Sequence, residues 1–315
     1  MGGVFLNTSD IQEFHIPITS DGKTCIDWLA ETTGFSRQKL KHYMQQGCVW
    51  LERGGEKHTN SHLEMTDSQF LNEQNDALQA TYIQRIRRAK KPLKSGEILH
   101  FYFDEAVLNS EPNSATLVED LGCYSIWNKP TGMFSQGSKW GDHCTINRWA
   151  EKHLTPERPA FIVHRLDRAA NGLIILAHKK STASQFSKMF EQRQVDKRYL
   201  VEVKGDFSTL SLLKDNKLTV SEPIVNKTAI SHISFLSSNQ TKTVSVLKVS
   251  IETGRKHQIR KHLAFLGFPV IGDRLYGDCT DTVDLKLSAK SLRFLCPISG
   301  EKKAFTLPES SSSLI

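Results

Sequence analysis

No run of residues in this 315-residue chain approaches the ~20 consecutive apolar side chains that a membrane-spanning helix needs, so an integral helical membrane protein is not indicated. Cysteine is sparse as well. The six, at positions 25, 48, 123, 144, 279 and 296, include no Cys-x-x-Cys pair, which argues against a disulfide framework and against a zinc centre. Neither Gly-x-x-x-x-Gly-Lys-Ser/Thr nor Gly-x-Gly-x-x-Gly occurs, so the glycine loops that cradle the phosphates of a nucleotide cofactor are missing. His-Glu-x-x-His is missing too, and the spacing of His164, His257 and His262 points to hydrogen-bonding or ligand-contact roles rather than to a metal. The N-terminus, Met1-Gly2-Gly3-Val4-Phe5-Leu6, shows no basic segment leading into an apolar core, and Leu6 stands where a myristoylation signal requires Ser or Thr. A cytoplasmic protein is expected, in which the Asn-x-Ser/Thr triplets at Asn7, Asn226 and Asn239 stay unmodified.

What is present is ordinary for a globular chain: 38% hydrophobic and 24% charged residues. The length accommodates one large domain plus a smaller one, or two of similar size. A net charge of +7 and a pI near 9.0 suit an acidic partner, because each phosphate neutralised by Lys or Arg releases a counterion.

Ile26 and Leu29, then Leu40, Tyr43 and Met44, recur at helical spacing on either side of Gly34-Phe35-Ser36. They predict two short helices, with Ser36 as N-cap of the second and Gly47 as its stop. Val49 and Leu51 predict a short strand, and residues 98–103 another. Between them Arg85, Arg87, Arg88, Lys90, Lys91 and Lys94 form a basic cluster, which reads equally as a solvated face or as an edge against nucleic acid. The polar stretch 106–116 is the expected linker between a small domain over 1–105 and a larger one over 117–308, with the serine-rich residues 309–315 as a frayed tail. In the larger region strands are expected at 125–128, 173–177, 199–203 and 243–251, and helices at 183–190 and 259–266. Strands and helices without a strict alternation indicate an α+β fold.

His164-Arg165-Leu166-Asp167-Arg168 sets a carboxylate between two arginines, just ahead of Gly172 and an apolar strand. Flanking cations favour the ionised carboxylate, and an ionised, positioned carboxylate is a competent nucleophile. Taken alone, these residues read more simply as a structural Arg–Asp cluster. Followed by Gly172-Leu173-Ile174-Ile175-Leu176-Ala177, however, the segment resembles the signature of the RluA-type pseudouridine synthases. The resemblance continues in order through Lys129-Pro130-Thr131-Gly132-Met133 and Lys197-Arg198-Tyr199. It goes on through Thr253-Gly254-Arg255-Lys256-His257-Gln258-Ile259-Arg260-Lys261-His262-Leu263 and Pro269-Val270-Ile271-Gly272-Asp273-Arg274-Leu275-Tyr276-Gly277.

The resemblance implies a mixed, largely antiparallel catalytic sheet, RNA as the partner, no cofactor, no metal, and isomerisation of uridine to pseudouridine. It implies that Asp167 attacks the target nucleoside, at the base or at the ribose. Tyr199 would stack on the base and assist a late proton transfer, since a phenol with a pKa near ~10 is a poor base. Arg260 resembles the arginine that pairs with the catalytic carboxylate, and its fork could orient Asp167. Arg165 resembles the residue that enters the space left by an extruded nucleotide, a step costing a few kcal/mol. His164, Arg168, Arg255, His257 and Lys129 complete the RNA contacts expected in this region. Two departures put substrate identity in question: Ala170-Asn171 stands where the family has Thr-Ser, and Leu287-Ser288-Ala289 where it has Leu-His-Ala.

The N-terminal region resembles an S4-type RNA-binding module, a small α/β domain, through Ile26-Asp27-Trp28-Leu29, Ser36-Arg37 and Gly47-Cys48-Val49-Trp50-Leu51. Its Arg-Leu-Asp opening is reduced to Cys25-Ile26-Asp27, and Glu52-Arg53-Gly54-Gly55 replaces the usual Asn-Gly turn. Arg37, Lys39, Lys41 and Arg88 would then meet RNA backbone. By this analogy ribosomal RNA is favoured over transfer RNA, and a monomer with no obligate protein partner is expected. Two rivals stand beside this reading. One is a catalytically idle relative that only binds RNA. The other is a glycoside hydrolase, which needs a second carboxylate ~5–9.5 Å from the first, with Asp196 and Glu202 as candidates.

Overall fold

The structure, a computed structural model, describes residues 11–54 and 82–308, so the expectations for the first ten residues, for Gly55 and for the tail lie outside it. The described chain forms two compact units. Unit 1 comprises the residues up to Pro112 together with Gln136–Arg148, and unit 2 comprises Asn113–Ser135 together with the residues from Trp149 onward. The segment 136–148, expected within the larger domain, therefore clusters with the smaller. Its anchors are non-local: the Trp50 indole donates to the Lys139 carbonyl at 3.1 Å, and the Asp142 N–H donates to the Gln46 carbonyl at 2.9 Å.

Unit 1 contains β1 (Ile11–Pro17), α1 (Cys25–Thr33), α2 (Arg37–Gln46), β2 (Val49–Arg53), β3 (Tyr82–Arg85), β4 (Ile98–Asp104) and α3 (Glu105–Leu108), the last lying partly inside the stretch expected to be linker. Gly34 and Gly47 end the two longer helices in the left-handed conformation, and Ser36 caps α2 by accepting from the Lys39 N–H at 3.3 Å. The strands form an antiparallel sheet in the order β1-β4-β2-β3. One face of it packs Val49, Leu51, Leu99 and Phe101 against Leu29, Leu40 and Met44 of the helices, all fully buried.

Unit 2 carries β5 (Thr116–Asp120), β6 (Tyr124–Lys129), β7 (Phe161–Ile162), β8 (Asn171–Ala177), β9 (Asp196–Lys204), β10 (Lys217–Val220), β11 (Ser231–Ser238), β12 (Val244–Ile251), β13 (Leu287–Leu295) and β14 (Lys302–Thr306). Its helices are α5 (Lys180–Glu191) and α6 (Gln258–Phe265), while α4 (Ile146–His153) holds the boundary between Arg148 and Trp149. The main path of the sheet runs β10-β11-β12-β9-β13-β8-β6-β5, with β14 paired to β13 and β7 to β8. All pairings are antiparallel except β13 with β8, so the fold is α+β with a largely antiparallel sheet, as expected.

That parallel seam positions the chemistry. Ala289 of β13 pairs with Gly172 on one side and with Tyr199 of β9 on the other, so the loop carrying Asp167 enters the sheet two strands from Tyr199. Gly172 has a φ of +115°, and a Cβ there would sit 2.4 Å from the Ala289 carbonyl oxygen. Only glycine allows this approach.

Candidate active site

Asp167 lies in the turn before β8, closed by an Ala170 N–H to Asp167 carbonyl bond of 3.1 Å. A second loop braces it. The Gly132 N–H donates to the Arg168 carbonyl at 2.8 Å, and the Ser135 hydroxyl donates to the Leu166 carbonyl at 2.7 Å while accepting from the Leu166 N–H at 3.0 Å. Lys129 completes the brace from inside. Its side chain is fully buried, and Nζ donates to the carbonyls of Pro130, Met133 and Ala170 at 3.0, 2.9 and 2.7 Å. Burial pulls its pKa down to about 7, opposed by the charge of Asp167. With the Arg168 carbonyl at 3.5 Å, four carbonyl acceptors surround the ammonium, which favours the charged form. Lys129 was expected at the RNA; it is instead an internal tie between the two loops.

Asp167, Tyr199 and Arg260 line one cavity of about 170 Å³, with Arg165, Lys197, Arg255 and His257 also on its walls. The Asp167 side chain keeps 20% exposure, so the carboxylate is reachable from solvent. Arg260, buried on α6, points Nη1 at Asp167 Oδ2 at 3.5 Å, and His257 Nε2 stands 3.9 Å from Oδ1. Among the described residues these are the ion-pair partners of Asp167; the arginines next to it in sequence, 165 and 168, are not. Tyr199 is buried, and desolvation, with a further push from the Asp167 charge, raises its pKa above the usual phenol range. It therefore stays a neutral phenol at any physiological pH.

The bidentate fork of Arg260, expected on Asp167, closes on Asp273: Nε to Oδ2 and Nη2 to Oδ1, both at 2.7 Å. The Asp273 side chain is wholly buried, and Oδ1 also accepts from the backbone N–H groups of Leu275 and Tyr276 at 3.0 and 3.1 Å. Despite burial, these bonds hold its pKa below the usual carboxylate range. The ring of Tyr276 lies under the guanidinium, 5.1 Å from its centre, and its hydroxyl hydrogen-bonds His257 Nδ1 at 2.9 Å. His257 itself adopts a φ of +58°, a conformation rare for residues other than glycine. Gln258 steadies the loop ahead of α6, accepting from the Thr253 hydroxyl and the Arg255 N–H and donating to the Ile230 carbonyl.

The remaining site expectations fall into two groups. Arg165 and Arg168 are exposed, and Arg168 stacks over the Phe134 ring at 4.6 Å. Arg255 is exposed and donates to the Thr228 carbonyl, while Arg37, Lys39 and Arg88 are exposed on unit 1, Arg37 in an ion pair with Asp27 at 2.7 Å. His164 is turned inward: Nε2 accepts from the Ile175 N–H at 3.0 Å, Nδ1 is buried, and desolvation lowers its pKa to about 3. An RNA hydrogen bond from that ring is therefore corrected to a structural role. His262 is likewise buried between Ser231 and the Glu222 carbonyl. Among the described residues no three His, Cys, Asp or Glu side chains converge as metal ligands. Neither Asp196 nor Glu202 lines the cavity.

Residues 123–265 match the family model described as RNA pseudouridylate synthase. A tRNA pseudouridine synthase C from Haemophilus ducreyi is 30% identical over 175 residues, which cover 48% of this chain and 69% of that one. The chain belongs to the RNA pseudouridylate synthase family. An uncharacterised RNA pseudouridine synthase from Aquifex aeolicus is 28% identical over 72% of this chain and 80% of its own. A ribosomal large subunit pseudouridine synthase C from Haemophilus influenzae is 33% identical over 60% of this chain, which spans 63% of that relative. Among solved structures, human RNA pseudouridylate synthase domain containing 1 superposes with a TM-score of 0.51 at 22% identity, covering 64% of this chain and 86% of that one, a likeness of fold.

Within this family member, the residue that sequence reasoning passed over is Asp273. The Gly272-Asp273-Arg274-Leu275-Tyr276-Gly277 block was visible, yet it carried no role. Its partner lies thirteen residues upstream on a helix, and nothing in the spacing shows that the two side chains meet.

Proposed function

We propose that this chain isomerises uridine to pseudouridine within RNA, with Asp167 as the nucleophile. The observation that carries the reading is the solvent-reachable Asp167 carboxylate in a small cavity, with the buried Arg260 guanidinium at 3.5 Å and the neutral Tyr199 phenol on the same walls. Attack by Asp167, at the base or at the ribose, frees the uracil. The bond from C1′ to N1 breaks, the base rotates, C1′ bonds to C5, the bond to Asp167 breaks to regenerate the carboxylate, and the C5 proton leaves as N1 regains one. Atoms balance without oxidant, reductant or water. Arg260 holds the Asp167 carboxylate aimed, and Tyr199, on the wall of the same cavity, relays the late proton. The exposed Arg165 fills the gap left by the extruded nucleotide.

Ribosomal RNA is the favoured substrate. Support comes from relatives named for the large ribosomal subunit and from unit 1 as an S4-like module offering Arg37, Lys39 and Arg88 to the backbone. A relative named for tRNA keeps tRNA as the alternative. The chain is taken to work as a cytoplasmic monomer without cofactor. Glycoside hydrolysis is disfavoured, because among the described residues the further carboxylate paired with Arg260, that of Asp273, is held ionised by the fork and cannot serve as a general acid.

The test is release of tritium from 5-tritiated uridine in RNA isolated from cells lacking the gene. Asp167→Ala should abolish release, a loss on the order of 10⁴-fold or more, while RNA binding persists. Equal release from variant and wild type removes Asp167 from the mechanism.

A further inference from the structure

Beside the Asp167 cavity lies a second one, of about 220 Å³, whose walls include His164, Arg165, Phe190, Arg193, Lys197 and Glu252. The two cavities share Arg165, Lys197, Ile251 and Gly254. Lys197 stands on β9 two residues before Tyr199, so both side chains leave the same face of the strand. Among the described residues the Lys197 side chain makes no ion pair and no hydrogen bond; its Nζ lies 5.2 Å from the Phe190 ring centre. Arg165, exposed at the shared rim, has no ion-pair or hydrogen-bond partner among them either. Glu252 does not neutralise this pair. One of its oxygens takes Arg193 at 3.0 Å and the other takes His232 at 2.8 Å. The cavity thus presents three cations against one engaged carboxylate, with a neutral His164 at its wall. An ammonium partly withdrawn from water without a counterion is costly to keep unless a ligand supplies the negative charge.

We propose that this second cavity is a phosphodiester subsite, in which Lys197, with Arg165 and Arg193, takes the RNA backbone phosphate next to the uridine held at Asp167. The subsite rests on the reading of the chain as an RNA-modifying enzyme, and it gives Lys197 a positioning role. Anchoring the backbone at the junction of the cavities fixes how far the target nucleotide swings before its base meets Asp167. A nucleobase is the poorer occupant, since the available groups are cationic donors and the single carboxylate is already bound.

The experiment compares wild type, Lys197→Met, Lys197→Arg and Arg193→Gln. A fluorescent oligouridylate is titrated over a salt series, and tritium release is measured on RNA from cells lacking the gene. Loss of one phosphate contact in Lys197→Met should reduce the slope of log affinity against log salt by about 0.7 to 1, raise KM and leave kcat at saturating RNA largely intact. Lys197→Arg should recover the slope. The melting temperature of Lys197→Met should hold or rise, because a counterion-free charge is replaced by a thioether of similar length. Arg193→Gln, on the exposed rim, gives the same direction of change without touching the core. An unchanged salt slope in both Lys197→Met and Arg193→Gln overturns the subsite, and so does a collapse of kcat with the slope intact, which would place Lys197 at the reacting base. Asp167→Ala keeps the two proposals apart, since it should lose tritium release while keeping the wild-type salt slope.

Discussion

In unit 1, part of the basic cluster that reads in sequence as either a solvated face or a nucleic-acid edge turns inward. Arg85 donates to the carbonyls of Gly47 and Ser138, Arg87 donates to that of Gln45, and both guanidinium groups form ion pairs with Asp142. In unit 2 the Arg260 fork is also closed on a carboxylate, yet its third nitrogen still faces the cavity and Asp167. The residue type is the same in both places. What separates scaffold from site is whether the partners leave a donor aimed at open space, and that depends on where a second acid is placed. Asp142 and Asp273 occupy equivalent positions in this logic, one consuming its arginines and one presenting its own.

The comparison breaks most sharply at Asp273. Asp273→Asn removes the charge that balances a buried guanidinium, at a cost of about 3–5 kcal/mol. It also lets Arg260 swing onto Asp167, so kcat should fall on the order of 10²-fold, as for a mispositioned catalytic group. Steady-state tritium release beside a denaturant midpoint checks this, and a variant with wild-type kcat would show that Arg260 needs no support. Asp142→Asn is the counterpart in unit 1. It should lower stability by about 1–3 kcal/mol while leaving kcat and KM as they are; a change in kcat would erase the distinction drawn here.

A smaller effect separates the units by pH. His164 has a folded pKa of about 3 against 6.5 for the free group, so below pH 6.5 the unfolded chain takes up a proton that the folded chain refuses. Its contribution to stability is therefore complete above pH 6.5 and shrinks as pH falls toward 3, by at most about 1.4 kcal/mol per pH unit. In unit 1, burial lowers the pKa of His100 in the same direction, but Glu52, hydrogen-bonded to it at 3.0 Å, opposes the shift. Denaturation at pH 7 and pH 5 should show that His164→Gln flattens the acid sensitivity more than His100→Gln does. Equal flattening would mean that the two units share the burden.

Much of this arrangement was legible in the residues. The caps at Ser36 and Gly47, the strand after Gly172 and the apolar face of α5 are local features, written in spacings of two to four residues. The ordered blocks around Asp167, Tyr199 and Arg260 named the family because their order in sequence survives whatever the fold does. The Lys129 tie, the Arg260–Asp273 fork and the clustering of 136–148 with unit 1 were not legible. Each joins residues brought together only by packing, and a buried lysine among backbone carbonyls has the same letter as one on the surface. The inward turn of Arg85 and Arg87 was hidden for the same reason.

The contact of Gly172 with Ala289 also separates what can drift from what cannot. The two residues ahead of that glycine, Ala170 and Asn171, depart from the pattern the sequence resembles and carry no hydroxyl. The seam itself has no such latitude. One absent methyl group sets the gauge between the loop that bears the acid and the strand that lies next to the phenol's own, so position 172 stays closed to every residue that has a side chain.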